Sequence, residues 1–305
     1  MIKIFGHKAP DTDATCSALI WQWYLREAQG KEARALVQDP PNSEARFVLE
    51  RWGVEVPALL DGLGADDEVV IVDTNNPGEL PDNINDVNIA EIIDHHQLAG
   101  GLKTRGPIKM TIRPVAATAT VMHWLIGRDM DKAPDWVKGL MLSCILSDTL
   151  EFRSPTTTPQ DRKIAGELAS DLGIDMSAYA GEMFAAKSDV SGFSDAELLR
   201  ADSKIFELGG KKLRVSVLET TAPAVVLARK EGLMAEMGKV AAEDGVDQVL
   251  LFIIDILEQE AILLIPNDMV RAIAANSFGA EAAGDTVVLP GVMSRKKQII
   301  PSLKL

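Results

Sequence analysis

The sequence predicts an α/β protein, with a mostly parallel sheet flanked by helices in its N-terminal part and a smaller α/β domain in its C-terminal part. Three observations predict it. Glu68–Asp73 is a continuous apolar run ending on an acid, and Val87–Asp94 repeats the plan with Ile92-Ile93 before Asp94, as strands buried on both faces do. The chain opens with apolar Ile2, Ile4 and Phe5, then a Gly/Pro-containing turn, then a helical period. After the small, polar stretch 187–194, new strand-like runs begin.

Taken in order, Ile2–Phe5 suits a buried strand, and Thr12 and Asp13 are good capping residues for a helix carrying Ala18, Leu19, Trp21 and Trp23. Ala33–Val37 is expected as a strand and Ser43–Trp52 as a helix, before the strands ending at Asp73 and Asp94. From Ala116 to Leu172 the period is helical: Ala119–Ile126, Trp136–Leu146, and a helix opened by Thr158-Pro159, where proline suits the first helical position. Residues 188–194 have the composition of a hinge, which divides the chain into domains 1–187 and 195–305. Beyond it, Leu213–Leu218 is expected as a strand, Ala222–Glu243 as one helix, and Gln248–Ile254 and Ala261–Ile265 as adjacent strands.

At 305 residues the chain is long enough for two domains, and 47% hydrophobic with 25% charged residues is a globular composition. The formal net charge of −14 disfavours nucleic acid as a partner and favours metal cations. Cys16 and Cys144 lie in apolar helical segments and read as reduced core residues. The most apolar stretch, Val249–Leu257, carries Asp255 and is too short for a bilayer, so no membrane association is expected and the cytoplasm is the expected location.

The ends of neighbouring parallel strands meet at one edge of a sheet, where ligands bind. That rule gathers His7, Asp11, Asp13, Asp73, His95 and His96 from distant positions, with Asp148 available nearby. Imidazoles and carboxylates without a thiolate suit Mn²⁺, Mg²⁺, Co²⁺ or Zn²⁺. Two such ions about 3.5–4 Å apart lower the pKa of the water between them and clamp an in-line phosphoryl displacement. Singly, each segment has a plain structural account: Asp-x-Asp is often a turn and a cap, Asp94-His95-His96 a solvated loop, Arg295-Lys296-Lys297 an exposed charge cluster, and His123 a core histidine. Their common strand-end position and complementary chemistry favour the joint account.

Gly6-His7-Lys8-x-Pro10-Asp11-Thr12-Asp13, Asp73, Asp94-His95-His96, Pro114-Val115-x-x-Thr118-Ala119-Thr120, Ser147-Asp148, Asp202-Ser203-Lys204 and Ser294-Arg295-Lys296-Lys297-Gln298 together resemble the manganese-dependent (family II) inorganic pyrophosphatases of the DHH phosphoesterase superfamily. The resemblance runs nearly end to end. It implies a DHH-type catalytic domain, a C-terminal substrate-binding domain and an active site in the cleft between them. It further implies two Mn²⁺ per site, replaceable by Co²⁺ or Mg²⁺, with additional Mg²⁺ accompanying the substrate. His7, Asp11 and a bridging Asp73 would hold the first ion; Asp13, Asp73, His95 and Asp148 would hold the second. A hydroxide between them would attack one phosphorus of pyrophosphate, with His96 near the leaving phosphate. Lys204, Arg295 and Lys296 would bind phosphate oxygens, so that His96, Asp73, Lys204, Arg295 and Lys296 form the catalytic group. A homodimer is implied by the resemblance as well.

The sequence departs from the usual pattern at Ala9, Ala14, Thr74 and Ala116-Ala117, none of them a ligand in this assignment. Two other activities compete. One is that of a superfamily exonuclease, oligoribonuclease or cyclic-dinucleotide phosphodiesterase, disfavoured by the acidic balance and the lack of a glycine-rich, histidine-containing C-terminal segment. The other is a regulatory nucleotide or metal sensor, which would need an inserted module that the short interval between Pro57 and Asp66 does not hold.

Overall fold

Apolar residues placed at nearly every position make the first strands buried on both faces. The computed structural model describes residues 1–282 and 284–305. Six strands, β1 (Ile2–Phe5), β2 (Ala33–Val37), β3 (Ala58–Leu59), β4 (Glu68–Val72), β5 (Asn88–Asp94) and β6 (Lys109–Ile112), form one sheet in the order β3-β2-β1-β4-β5-β6. All of its pairings are parallel. The order reverses between β1 and β4, so the crevice at their carboxyl ends is the topological switch point of the sheet. One face is covered by an apolar cluster that includes Phe5, Ile71, Leu80, Ile84 and Ile92.

Helix α1 (Thr12–Trp23) is buried along its whole length except Gln22, which is why its sequence shows no polar stripe. Its N-cap is Asp11, whose carboxylate accepts from Ala14 N at 3.0 Å; Thr12 and Asp13, expected as caps, lie within the first turn instead. That shift frees the Asp13 side chain to point into the sheet edge. α1 leans directly on the end of β1: a Cβ on Gly6 would stand 2.8 Å from the Ala14 Cβ and 3.2 Å from Val72 O. Gly6→Ala is therefore expected to cost about 1–3 kcal/mol of stability by overpacking, measurable as a lower urea midpoint.

The remaining helices of this unit are α2 (Ser43–Arg51), α3 (Thr118–Ile126), α4 (Asp135–Thr149), α5 (Pro159–Leu172) and α6 (Met176–Lys187). α5 begins where Thr158-Pro159 predicts, with a capping box between Thr158 and Asp161. α4 packs along α1, and its last turn carries Asp148. His123, expected in the core, is only half-buried, beside an exposed Trp124 whose ring is covered by the Arg113 guanidinium.

The chain divides into two units, Met1–Ala186 and Lys187–Leu305. Residues 188–194 bond within the second unit: Ser188 Oγ meets Thr221, and Val190 O accepts from Arg229 at 2.7 Å. The second unit contains α7 (Asp195–Leu198), β7 (Ser203–Leu208), β8 (Lys211–Thr220), α8 (Pro223–Leu227), α9 (Lys230–Asp244), β9 (Gln248–Asp255), β10 (Glu260–Leu264), α10 (Asp268–Phe278) and β11 (Thr286–Pro290). Its mixed sheet has the order β11-β10-β9-β8-β7, with only β8 and β9 parallel. Alternation along β9 puts Leu250, Phe252 and Ile254 against α10 and Val249, Leu251 and Ile253 against α9. The single helix expected over Ala222–Glu243 is two, because Arg229 leaves helical geometry (φ −101°, ψ 6°) and its guanidinium reaches Val190 O and Asp195.

Candidate active site

Each strand that ends at the switch point delivers a polar side chain there. His7 follows β1, Asp11 and Asp13 open α1, Asp73 follows β4, His95 and His96 follow β5, and Asp148 comes from the last turn of α4. All seven predicted residues of this unit meet in one cage. Among the described residues their donor atoms fall into three groups able to hold an ion: His7, Asp11 and Asp73; Asp13, His95 and Asp148; and Asp73, His95 and His96. Asp73 presents its two oxygens to different histidines, Oδ2 at 3.5 Å from His7 Nε2 and Oδ1 at 3.3 Å from His95 Nε2. His95 Nε2 is also 3.9 Å from both Asp13 Oδ2 and Asp148 Oδ2, and His7 Nε2 is 3.7 Å from Asp11 Oδ1. Asp73 adopts a left-handed backbone (φ 59°), a costly conformation outside glycine that redirects its side chain at the strand end.

Second partners fix how each group points. His7 Nδ1 donates to Lys8 O at 2.7 Å and His95 Nδ1 to Val115 O at 3.1 Å, because a carbonyl can only accept. In both rings the Nε2 lone pair is thereby left for a cation. Asp13 receives Thr118 N at 2.6 Å, Ala119 N at 3.2 Å and Ser17 Oγ at 3.0 Å, so the N-terminus of α3 cradles it. Thr118 Oγ1 donates to Asp73 Oδ1 at 2.9 Å. The approach to α3 is held in turn by buried Asp161, which accepts from Ala116 N at 3.1 Å and Thr120 Oγ1 at 2.6 Å. His96 differs from the others: it is exposed, and its Nδ1 meets Asp94 Oδ1 at 2.9 Å, which leaves Nε2 facing outward.

The electrostatics describe an anionic cage short of positive charge. Burial and the neighbouring Asp73 charge push the Asp13 carboxyl up to about 7. Burial, then the charges of Asp13, Asp11 and Asp73, raise Asp148 well above the carboxylate range. Asp73 is held well below it: burial opposes ionisation, but hydrogen bonds with His7 and His95 outweigh that. Burial works against protonation of both histidines, yet the carboxylates win, Asp11 and Asp73 lifting His7 to about 11 and Asp73 and Asp13 lifting His95 to about 9. Protons thus occupy positions that divalent ions would take over, and the donor set fits manganese.

The second unit has its own polar pocket of about 480 Å³, lined by Lys204 on β7, by Arg295 and Lys296 in the turn Arg295–Ile299, and by Asp202 and Glu219. Ser294 caps that turn, its hydroxyl accepting from Lys297 N at 3.3 Å. Arg295 is anchored by Asp202, Nη1 donating to the Asp202 carbonyl at 2.7 Å and lying 2.8 Å from its carboxylate.

Residues 1–147 match the DHH family, N-terminal domain, and residues 181–305 match the DHHA2 domain. A Deinococcus radiodurans protein named "Probable manganese-dependent inorganic pyrophosphatase" is 40% identical, covering 100% of this chain and 98% of its own. The chain belongs to the manganese-dependent, family II inorganic pyrophosphatases. A Bacillus licheniformis protein of the same name is 35% identical over 99% of this chain and 97% of its own. In Methanococcus jannaschii, a protein crystallised as a candidate family II inorganic pyrophosphatase is 32% identical, with a TM-score of 0.61 over 99% of this chain and 98% of that one.

Against the pattern usual in these pyrophosphatases, the departures have local structural consequences. Ala9 is left-handed (φ 50°), a conformation an asparagine accepts more readily. Ala14 packs on Gly6, and Thr74 Oγ1 donates to Glu79 at 2.7 Å. Ala116 contributes its backbone N–H, which does not depend on its side chain. Two supporting acids, Glu44 and Asp161, escape the residue-by-residue sequence analysis. A signal was available for Glu44, which falls on the same helical face as Val48 and is fully buried.

Proposed function

We propose that the chain hydrolyses inorganic pyrophosphate to two phosphates, with two Mn²⁺ held in the cage at the ends of β1, β4 and β5. The carrying observation is Asp73, whose opposite oxygens face two different histidine-containing donor groups. His7, Asp11 and Asp73 would hold one ion, and Asp13, Asp73, His95 and Asp148 the other. Bound manganese supplies Lewis acidity, lowering the pKa of coordinated water and offsetting charge on phosphoryl oxygens. Co²⁺ or Mg²⁺ would substitute in this oxygen- and nitrogen-rich set, and further Mg²⁺ would accompany the substrate.

The protein's own groups then orient and neutralise. His96 keeps its Nδ1 proton on Asp94, and the hydrogen bond to that carboxylate raises its pKa, so the outward Nε2 can carry a proton for the leaving phosphate. Asp94 is itself braced by His95 N at 2.8 Å, His96 N at 3.1 Å and Asn75 Nδ2 at 2.5 Å. Lys204 and Lys296 act as point charges toward phosphate oxygens, whereas Arg295, oriented by Asp202, offers a planar fork.

Removing one such charge-assisted contact costs about 1.5–3 kcal/mol, so Lys296→Ala is expected to raise KM for pyrophosphate roughly 10- to 150-fold. Manganese affinity measured by equilibrium dialysis should be unchanged in that variant. The activity itself is tested by stripping the protein of metal, restoring defined ions, and comparing phosphate release from pyrophosphate with cleavage of a short oligonucleotide. Faster cleavage of the oligonucleotide would overturn the assignment in favour of the nuclease alternative. Supporting a nucleic-acid-free, cytoplasmic homodimer are the net charge of −14 and the family relationship; among the described residues no helix is long and apolar enough to cross a membrane. Light scattering on the purified protein tests the dimer.

A further inference from the structure

We propose that Glu44 is a positioning residue for the metal cage, setting the spacing between the carboxylates of α1 and the carboxylate of α4. Glu44 sits in the first turn of α2 and is fully buried, although its neighbours on that face are Ala45, Val48 and Leu49. A single oxygen, Oε2, accepts from Thr12 Oγ1 at 2.9 Å and from Ser147 Oγ at 2.7 Å. Those two hydroxyls belong to residues adjoining the cage: Thr12 stands between Asp11 and Asp13, and Ser147 immediately precedes Asp148. Glu44 thus ties the first turn of α1 to the last turn of α4 at the level where both helices present their carboxylates. The same two helices touch again where Cys144 Sγ approaches Thr12 O at 3.7 Å.

Repulsion gives this tie its purpose. Asp11 and Asp13 at the start of α1 and Asp148 in the last turn of α4 are like-charged when ionised, and a fixed link between the two helices keeps them from spreading. An ion whose ligands come from two helices binds best when their separation is set beforehand, since the cost of ordering is then not taken from the binding energy. Glu44 belongs to none of the three donor groups, so it acts through Thr12 and Ser147 rather than on the ion.

This inference rests on the cage binding manganese. The parent protein and its variants are therefore titrated side by side with Mn²⁺ in equilibrium dialysis, with metal-free near-UV circular dichroism as the folding control. Glu44→Leu, which keeps the volume and removes the acceptor, is expected to weaken manganese binding about 10- to 100-fold, the usual range for loss of a supporting partner. Glu44→Gln, whose amide oxygen can accept both hydroxyls, is expected to stay within about threefold of the parent. Should the leucine variant not fold, Thr12→Val and Ser147→Ala each delete one hydroxyl and should each weaken binding, with turnover restored at saturating manganese. Parent-like affinity in a folded leucine variant overturns the role, as does a glutamine variant as weak as the leucine one. If the parent itself takes up no manganese, the metal assignment fails instead.

Discussion

Asp73→Asn is expected to lower pyrophosphate turnover about a thousandfold, the upper end of what loss of a single preorganised electrostatic element costs. Asparagine is the informative replacement because Asp73 has a left-handed backbone at φ 59°, and asparagine accepts that conformation better than alanine does. The shape and the Thr118 hydrogen bond can survive, while the charge shared between His7 and His95 is lost. No other carboxylate of the cage faces both histidines at these distances; Asp11 is near His7, and Asp13 and Asp148 are near His95. Manganese stoichiometry should fall along with the rate, whereas a variant that binds two ions and turns over normally would refute the bridging role.

The second large effect is on stability. Withdrawing divalent ions leaves the buried carboxylates of Asp13 and Asp73, together with Asp148, offset by protons, the neighbouring imidazoles and the N–H groups of α3. Binding at 100 times Kd stabilises a native protein by about 2.7 kcal/mol per ion, which for a unit of this size corresponds to roughly 5–10 °C in Tm. Calorimetry should therefore show separate melting temperatures for the chelated and the manganese-loaded protein, the latter rising with manganese concentration. Equal values with and without manganese would mean that the cage holds no ion in the native state.

Much of this was legible in the residues. His7, Asp73, His95 and His96 come just after apolar strands, and a parallel sheet has only one edge where such endings can meet. Thr158-Pro159 announced the start of α5 correctly, because the cap and the proline act within a single turn. Less legible were short or partly exposed strands such as β6 and β7, whose pairing is decided by neighbours rather than by their own alternation. The break at Arg229 escaped for a similar reason: its guanidinium is drawn to Val190 and Asp195, more than thirty residues back in the chain.

By itself, then, the amino-acid order determined which chemistry is available: the identity of the donors, their placement at strand ends and the absence of cysteine among them, since local propensity and hydrophobic period act over a few residues. Only tertiary structure decided that Asp73 turns its oxygens to different histidines and that Glu44 and Asp161 brace the cage. Those choices depend on distances between groups up to about a hundred positions apart, such as Glu44 and Ser147, and packing alone sets such distances.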